Sequence, residues 1–133
     1  MVFVDILEEL VRAYPEREAF RYRDAESGEV RSVRFDRFLE DVSRAAAYWS
    51  EKQKSLSPEE PFRVGIAADN SYPYFVEYLG VIAAGGVFVP LNQSFGAARV
   101  LEFAAEIGIP YMMAGEAQLA DSEYAAELNA AYP

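Results

Sequence analysis

The sequence contains no cysteine and no histidine among its 133 residues. The first absence excludes disulfide scaffolds, thiolate metal sites and a cysteine nucleophile. The second removes the commonest metal ligand and the commonest general base. Basic residues are scarce, with 12 Lys and Arg against 22 Asp and Glu and a formal net charge of −10. They also thin out along the chain. Residues 1–63 hold 11 basic and 14 acidic groups, whereas residues 64–133 hold eight acidic groups and a single basic one, Arg99. No basic footprint for nucleic acid or anionic lipid is present. A phosphate held in the second half would depend on Arg99 and backbone amides alone.

Long apolar runs are missing too. The longest, near residues 78–91, is interrupted by Gly80, Gly85, Gly86 and Pro90, and is too short and broken for a membrane helix. Met1-Val2-Phe3-Val4 has no basic region before it and runs into Asp5, Glu8 and Glu9. No signal peptide is expected, and a cytoplasmic location is. Asn92-Gln93-Ser94 fits a glycosylation sequon, which without a secretory signal is a chance match.

What remains is a globular composition, 52% hydrophobic and 26% charged. A folded domain of this length hides roughly two-thirds of its unfolded surface, enough for a core without staples. Ile6, Leu7, Leu10, Val11 and Tyr14 recur at helical spacing, and Pro15 stops the run. Ala19–Arg23 and Val30–Phe35 alternate around the turn Glu26-Ser27-Gly28-Glu29, which predicts a β-hairpin. Arg21, Arg23, Arg31 and Arg34 fall on its wet face among Asp24, Glu26 and Glu29, a salt-bridged surface rather than an anion site. A long helix follows over about 36–54, with Phe38, Leu39, Val42, Ala45, Ala46 and Trp49 as its apolar stripe. The polar stretch from Lys52 to Pro61 reads as a surface loop.

After Pro61 the pattern becomes β-α-β-α-β-α. Strands are expected at 62–68, 87–91 and 109–113. The first intervening helix is capped by Ser71, with Pro73 in its first turn, and ends at Gly85-Gly86. The second is capped by Ser94 and closed by Gly108, and an alanine-rich helix spans much of 118–132. Apolar strands with short connections predict an α/β fold: a parallel β-α-β-α-β sheet layer preceded by a β-hairpin and a long helix. The whole reads as one subdomain, with residues 1–61 giving helix, hairpin and long helix and 62–133 the βαβαβα unit.

In such a sheet, ligands bind at the carboxyl ends of the strands. Those turns are Ala68-Asp69-Asn70-Ser71, Asn92-Gln93-Ser94 and Ala114-Gly115-Glu116. None has the glycine spacing of a dinucleotide or P-loop site. Gly85-Gly86 lies at a helix C-terminus, where the dipole repels anions. Asp69 invites a phosphoryl-acceptor reading, but Asn92 and Ala114 supply no second acid and no lysine follows Lys54. Ser71 and Ser94 have no histidine to activate them. Glu102 with Glu106 and Glu123 with Glu127 are i,i+4 pairs on acidic helix faces, most simply solvated. The aromatic group Tyr72, Tyr74, Phe75, Tyr78 and Phe88 is the densest apolar feature, and it implies core or an interface before an acyl-binding surface.

Four stretches carry a resemblance. Pro15-Glu16-Arg17-Glu18-Ala19-Phe20 is similar to a Pro-x-x-x-Ala-Phe entry segment, and Val33-Arg34-Phe35-Asp36-Arg37-Phe38 loosely to Leu-Thr-Tyr-x-Glu-Leu. Asp69-Asn70-Ser71-Tyr72-Pro73-Tyr74-Phe75 resembles Pro-Asn-Ser-x-Glu-Phe. Ile82 through Asn92 resembles Leu-Lys-Ala-Gly-x-x-Tyr-Val-Pro-Leu-Asp in register, with Ala83 in place of the lysine. In this order they resemble the N-terminal region of the AMP-forming adenylating enzymes: acyl-CoA synthetases, luciferases and the adenylation domains of peptide synthetases. Asn92 after Pro90-Leu91, and the phrase from Gly28 to Val42, lean toward fatty acyl-CoA ligases.

The resemblance implies attack of a carboxylate on the α-phosphate of ATP, with Mg²⁺, then transfer of the acyl group to a thiol such as CoA. In the family the phosphate loop, the adenine-binding stretch, the ribose-binding Asp and the catalytic lysine all lie beyond the region matched. No catalytic, cofactor-binding or metal residue is therefore assigned to this chain. Its expected partner is the remainder of the parent enzyme, with self-association through exposed apolar surface when alone. Two alternatives stay open: a stand-alone module binding a protein or apolar ligand, and an unrelated flavodoxin-like domain.

Overall fold

A computed structural model describes residues 3–92 and 94–133. The chain divides into two compact units, residues 1–55 with 71–84, and residues 56–70 with 85–133. Met1, Val2 and Gln93 lie outside the described residues, and with them part of the opening segment and the middle of one strand-to-helix turn.

The first unit opens with α1 (Phe3–Ala13), which has Asp5 in its first turn and Arg12 in its last, as the helix dipole favours. Leu7 is its buried anchor. Strands β1 (Glu18–Arg23) and β2 (Val30–Arg34) pair antiparallel. Their turn is built on Asp24, whose Oδ1 accepts from the amides of Glu26 and Ser27 at 2.9 Å each. Gly28 takes the positive φ of 71° that this turn requires. The hairpin arginines are engaged as the sequence predicts, although two of the partners lie outside the turn. Arg21 pairs with Glu18, Arg31 with Asp24 and Arg34 with Asp36, while Arg23 donates to the Gly28 carbonyl.

Helix α2 (Phe35–Gln53) buries Phe38, Val42, Ala45 and Trp49, an i, i+4, i+7, i+11 stripe. Helix α3 (Tyr72–Ala83) packs on it and belongs to the same compact unit, although in sequence it follows the first strand of the parallel sheet. Ser71 caps α3 by accepting from the Tyr74 amide, with Pro73 in the first turn, as the sequence predicts. Gly85, at φ 84°, lets the chain leave the helix. Leu7, Phe38, Val42, Ala45 and Val76 form the core of this unit.

The second unit is a three-stranded parallel sheet in the order β4-β3-β5, from β3 (Arg63–Ala67), β4 (Val87–Pro90) and β5 (Tyr111–Ala114). The α/β class and the parallel sheet agree with the sequence. Ala67, Val100 and Leu128 form a buried cluster, with Leu91, Phe95 and Met112 among those packed on it. Helix α4 (Ala97–Ile107) ends at Gly108 with φ 74°, and Arg63 Nη1 donates to the Ile107 carbonyl at 2.7 Å, placing a cation at the negative end of the helix.

Two local expectations are corrected. Ser94 does not cap α4. Its amide and hydroxyl both donate to Asn92 Oδ1, at 2.9 and 2.7 Å, and Gly96 is the N-cap residue. That side-chain turn competes with helix entry and delays it by two residues. The last helix is also two, α5 (Glu116–Ala120) and α6 (Ser122–Ala131). Asp121 separates them by accepting from the amides of Glu123 and Tyr124, which fixes its own backbone in an extended conformation.

Candidate functional site

The strand order places the search. From central β3 the chain goes to β4 on one side and then to β5 on the other, so the direction reverses between β3 and β5. In open α/β sheets the crevice for a ligand lies outside the carboxyl ends at this reversal. Here the register aligns Ala67 with Ala114, and the Gly115 amide donates to the Ala67 carbonyl at 3.0 Å, so the two strands remain bonded to their ends.

Gln118 lies against this strand-end turn. Gln118 is 8% exposed. A Cβ built on Gly115 would lie 2.7 Å from Gln118 Oε1 and 2.8 Å from Ala68 Cβ. Only glycine lets the turn approach so closely, and the Gln118 Oε1 buried there has no hydrogen-bond partner among the described residues. The sequence singles out Gly115 as a turn residue but carries no signal for Gln118, a polar residue buried by tertiary packing.

Asp69 is exposed at the end of β3, with Asn92 and Ala114 at the neighbouring ends. The Ser71 hydroxyl caps α3 and the Ser94 hydroxyl donates to Asn92, so each hydroxyl has a structural role. Glu102, Glu106 and Glu123 are exposed as expected of acidic helix faces, Glu102 also pairing with Arg99 at 2.7 Å, and Glu127 is half-buried. Arg99 also stacks over the Phe103 ring at 4.4 Å. Both arginines of the second unit are thus engaged, Arg63 by a helix end and Arg99 by Glu102. Among the described residues no group of three acidic, cysteine or histidine side chains could hold a metal ion. The strand-end turns hold no basic side chain. These residues do not fit ATP with Mg²⁺.

The aromatic group divides. Tyr72 and Phe75 join Phe20, Tyr22 and Phe38 in the first unit, with Tyr22 and Tyr72 stacked at 5.5 Å and 9°. Tyr74 lies edge-on to Phe75, and Phe88 sits on β4 in the second unit. Phe75 and Tyr78 remain 37% and 38% exposed on α3. The buried residues of α3 are instead Val76, Gly80 and Val81. Tyr72 donates to Asp41 Oδ2 at 2.7 Å, and burial first, then that bond, pushes its phenol above the usual value. Trp49 Nε1 donates to Glu77 Oε2 at 2.7 Å. The sequence carries no signal for these two pairs, each joining residues about thirty apart.

A family model described as AMP-binding enzyme matches residues 7–132. Polyketide synthase PksN of Bacillus subtilis (strain 168) is 30% identical over 96 residues, which is 72% of this chain and 2% of that protein. A linear gramicidin synthase of Brevibacillus parabrevis is 32% identical over 65 residues, 49% of this chain and 1% of that protein. Neither is named as a fatty acyl-CoA ligase. Among solved structures, the N-terminal subdomain of Klebsiella oxytoca NpsA in complex with anthranilyl-AMSN superposes with a TM-score of 0.67 at 21% identity, over 85% of this chain and 27% of that one. The inhibitor-bound N-terminal domain of FACL13 from Mycobacterium tuberculosis gives 0.67 at 18%, over 85% and 26%. The chain thus spans a small fraction of these curated relatives and about a quarter of the solved chains. Together with the four motifs in order and the parallel sheet, the match over residues 7–132 means that this chain belongs to the AMP-binding enzyme family.

Proposed function

We propose that the chain is one N-terminal subdomain, a structural portion of an enzyme that activates a carboxylic acid with ATP as an acyl-adenylate and passes the acyl group to a thiol. In this reading the chain holds neither the ATP site nor a catalytic residue. It supplies scaffold to which the rest of the enzyme attaches, and ATP and Mg²⁺ belong to the complete protein. The observation that supports it most is the family match spanning nearly the whole chain while covering only a small share of longer relatives.

The thiol acceptor has two readings. Asn92 after Pro90-Leu91 favours coenzyme A and an acyl-CoA synthetase. The likeness to a polyketide synthase and a gramicidin synthase favours the thiol of a carrier protein. The test is to express the reading frame past the codon for Pro133 and assay ATP–pyrophosphate exchange over a panel of carboxylic acids, then offer each thiol in turn. Exchange followed by transfer to one thiol decides the acceptor. A frame that stops after Pro133 would sink the proposal in favour of a stand-alone binding module.

A further inference from the structure

The sheet of the second unit is open at β5. That strand is bonded to β3 on one side, and no strand among the described residues pairs with its other side. The Gly115 amide donates to the Ala67 carbonyl. By the alternation of a strand, the peptide groups of Met113 then also face β3, and those of Met112 and Ala114 face the open edge. Edges left to water are ordinarily blunted by charge or proline. β4 ends on Pro90, which cannot donate, whereas the four residues of β5 are half-buried and include neither a charge nor a proline.

The connections fix where a further strand goes. α4 carries the chain from β4 to β5, past β3. α6 follows β5 and packs against α4, and Val100 of α4 and Leu128 of α6 are buried in one cluster with Ala67 of β3. Both helices therefore lie on one face of the sheet. Crossovers between parallel strands are right-handed. A second crossover on that face runs in the same direction as the first, so it leads from β5 away from β3. Residues 115–132 are long enough for it, since such connections need about a dozen residues. α6 also returns the chain to the right end of the sheet. The Tyr132 hydroxyl donates at 2.8 Å to the carbonyl of Ile109, just before β5 begins. A parallel neighbour of β5 starts beside this point. A groove of about 590 Å³ opens there, with Leu101, Ala104, Ile109, Pro110 and Tyr132 in its lining.

From this topology we propose that the open edge of β5 takes a fourth parallel strand, supplied by the segment that follows Pro133 in the same polypeptide. It rests on the functional reading that the chain is a portion of a longer enzyme, and it says where the remainder attaches. Main-chain hydrogen bonds to Met112 and Ala114 hold the join, and the groove receives the side chains that lead into the strand. The strand itself is a short apolar run, because strands of a parallel sheet are covered on both faces.

The test uses the full product of the reading frame, with the 133-residue chain beside it. Amide exchange at Met112 and Ala114 should be at least about tenfold slower in the full product, the scale of one hydrogen bond. The Met113 amide, bonded to β3 in either, is the internal reference. These 133 residues contain no cysteine. Met113→Cys is therefore combined with single cysteines along the roughly twelve residues after Pro133, the span of one short connection and one strand, with any other cysteine of the full product changed to serine. Disulfides should form with alternate residues, those on the Met113 face of the sheet. A full product that performs ATP–pyrophosphate exchange, yet leaves Met112 and Ala114 exchanging as fast as in the 133-residue chain, overturns the inference and spares the functional reading. Cross-linking that does not alternate, or reaches no residue of the segment, does the same. A reading frame that ends at Pro133 overturns both. Protection of Met112 that rises with the concentration of the 133-residue chain would put a second copy on the edge, and also overturns the inference.

Discussion

Gly80 of α3 meets Ala45 of α2 so closely that a Cβ on Gly80 would lie 2.5 Å from the Ala45 Cβ and 3.1 Å from the helix backbone beyond it. The two helices therefore touch through a glycine and an alanine, and their spacing is set by the absence of one methyl group. Gly80→Ala should be destabilising despite alanine's better helix propensity. Overpacking costs about 1–3 kcal/mol and the propensity gain returns about 1 kcal/mol. A urea melt should show a lower midpoint, and adding Ala45→Gly should restore most of it. A midpoint unchanged by Gly80→Ala alone would mean that the helices can separate freely.

Tyr72 makes stability depend on alkaline pH. Its phenol is raised from a usual value near 10, first by burial and then by Asp41. The neutral form is favoured in the folded chain, so this contribution is complete below pH 10 and is lost as pH rises above it. Absorbance at 295 nm should show some tyrosines of the folded chain titrating later than in urea. Burial raises Tyr74, Tyr124 and Tyr132 in the same direction, so the Tyr72→Phe difference isolates one phenol. An identical late component in Tyr72→Phe would refute the assignment.

Asp121 should be worth a helix cap. Its carboxylate accepts from the Glu123 and Tyr124 amides at 3.0 Å each. Asp121→Ala is expected to cost about 1 kcal/mol, and Asp121→Asn much less. Amide exchange in the first turn of α6 should accelerate in the alanine variant only.

Much of the architecture is legible in the sequence because it is locally encoded. Ser71 with Pro73 begins α3, Gly85 and Gly108 end helices through left-handed backbone, and residues 62–68 read as a buried strand, which forms over Arg63–Ala67. Where two local signals compete, the pattern misleads. Ser94 has the chemistry of a cap but is held by Asn92, and the alanine-rich tail hides a second helix start at Asp121. Interactions across about thirty residues or more, such as Trp49 with Glu77 or Gly80 with Ala45, leave no periodic trace. Gln118 escapes because its residue type argues for exposure, yet it is buried beside the turn at Gly115.

Exposed apolar side chains should make the isolated chain adhesive. Phe3, Ile6, Phe75 and Leu119 all stand exposed. We expect ANS fluorescence to rise on mixing, and light scattering to show concentration-dependent self-association. A strictly monomeric chain that leaves the dye dark would contradict this and favour a stand-alone domain.

The central claim is that this chain is scaffold for an adenylating enzyme and not its chemical centre. ATP–pyrophosphate exchange, measured side by side on the purified 133-residue chain and on the full product of its reading frame, tests it most directly. The account predicts carboxylate-dependent exchange from the full product and none from the chain. Exchange catalysed by the 133 residues alone would contradict it.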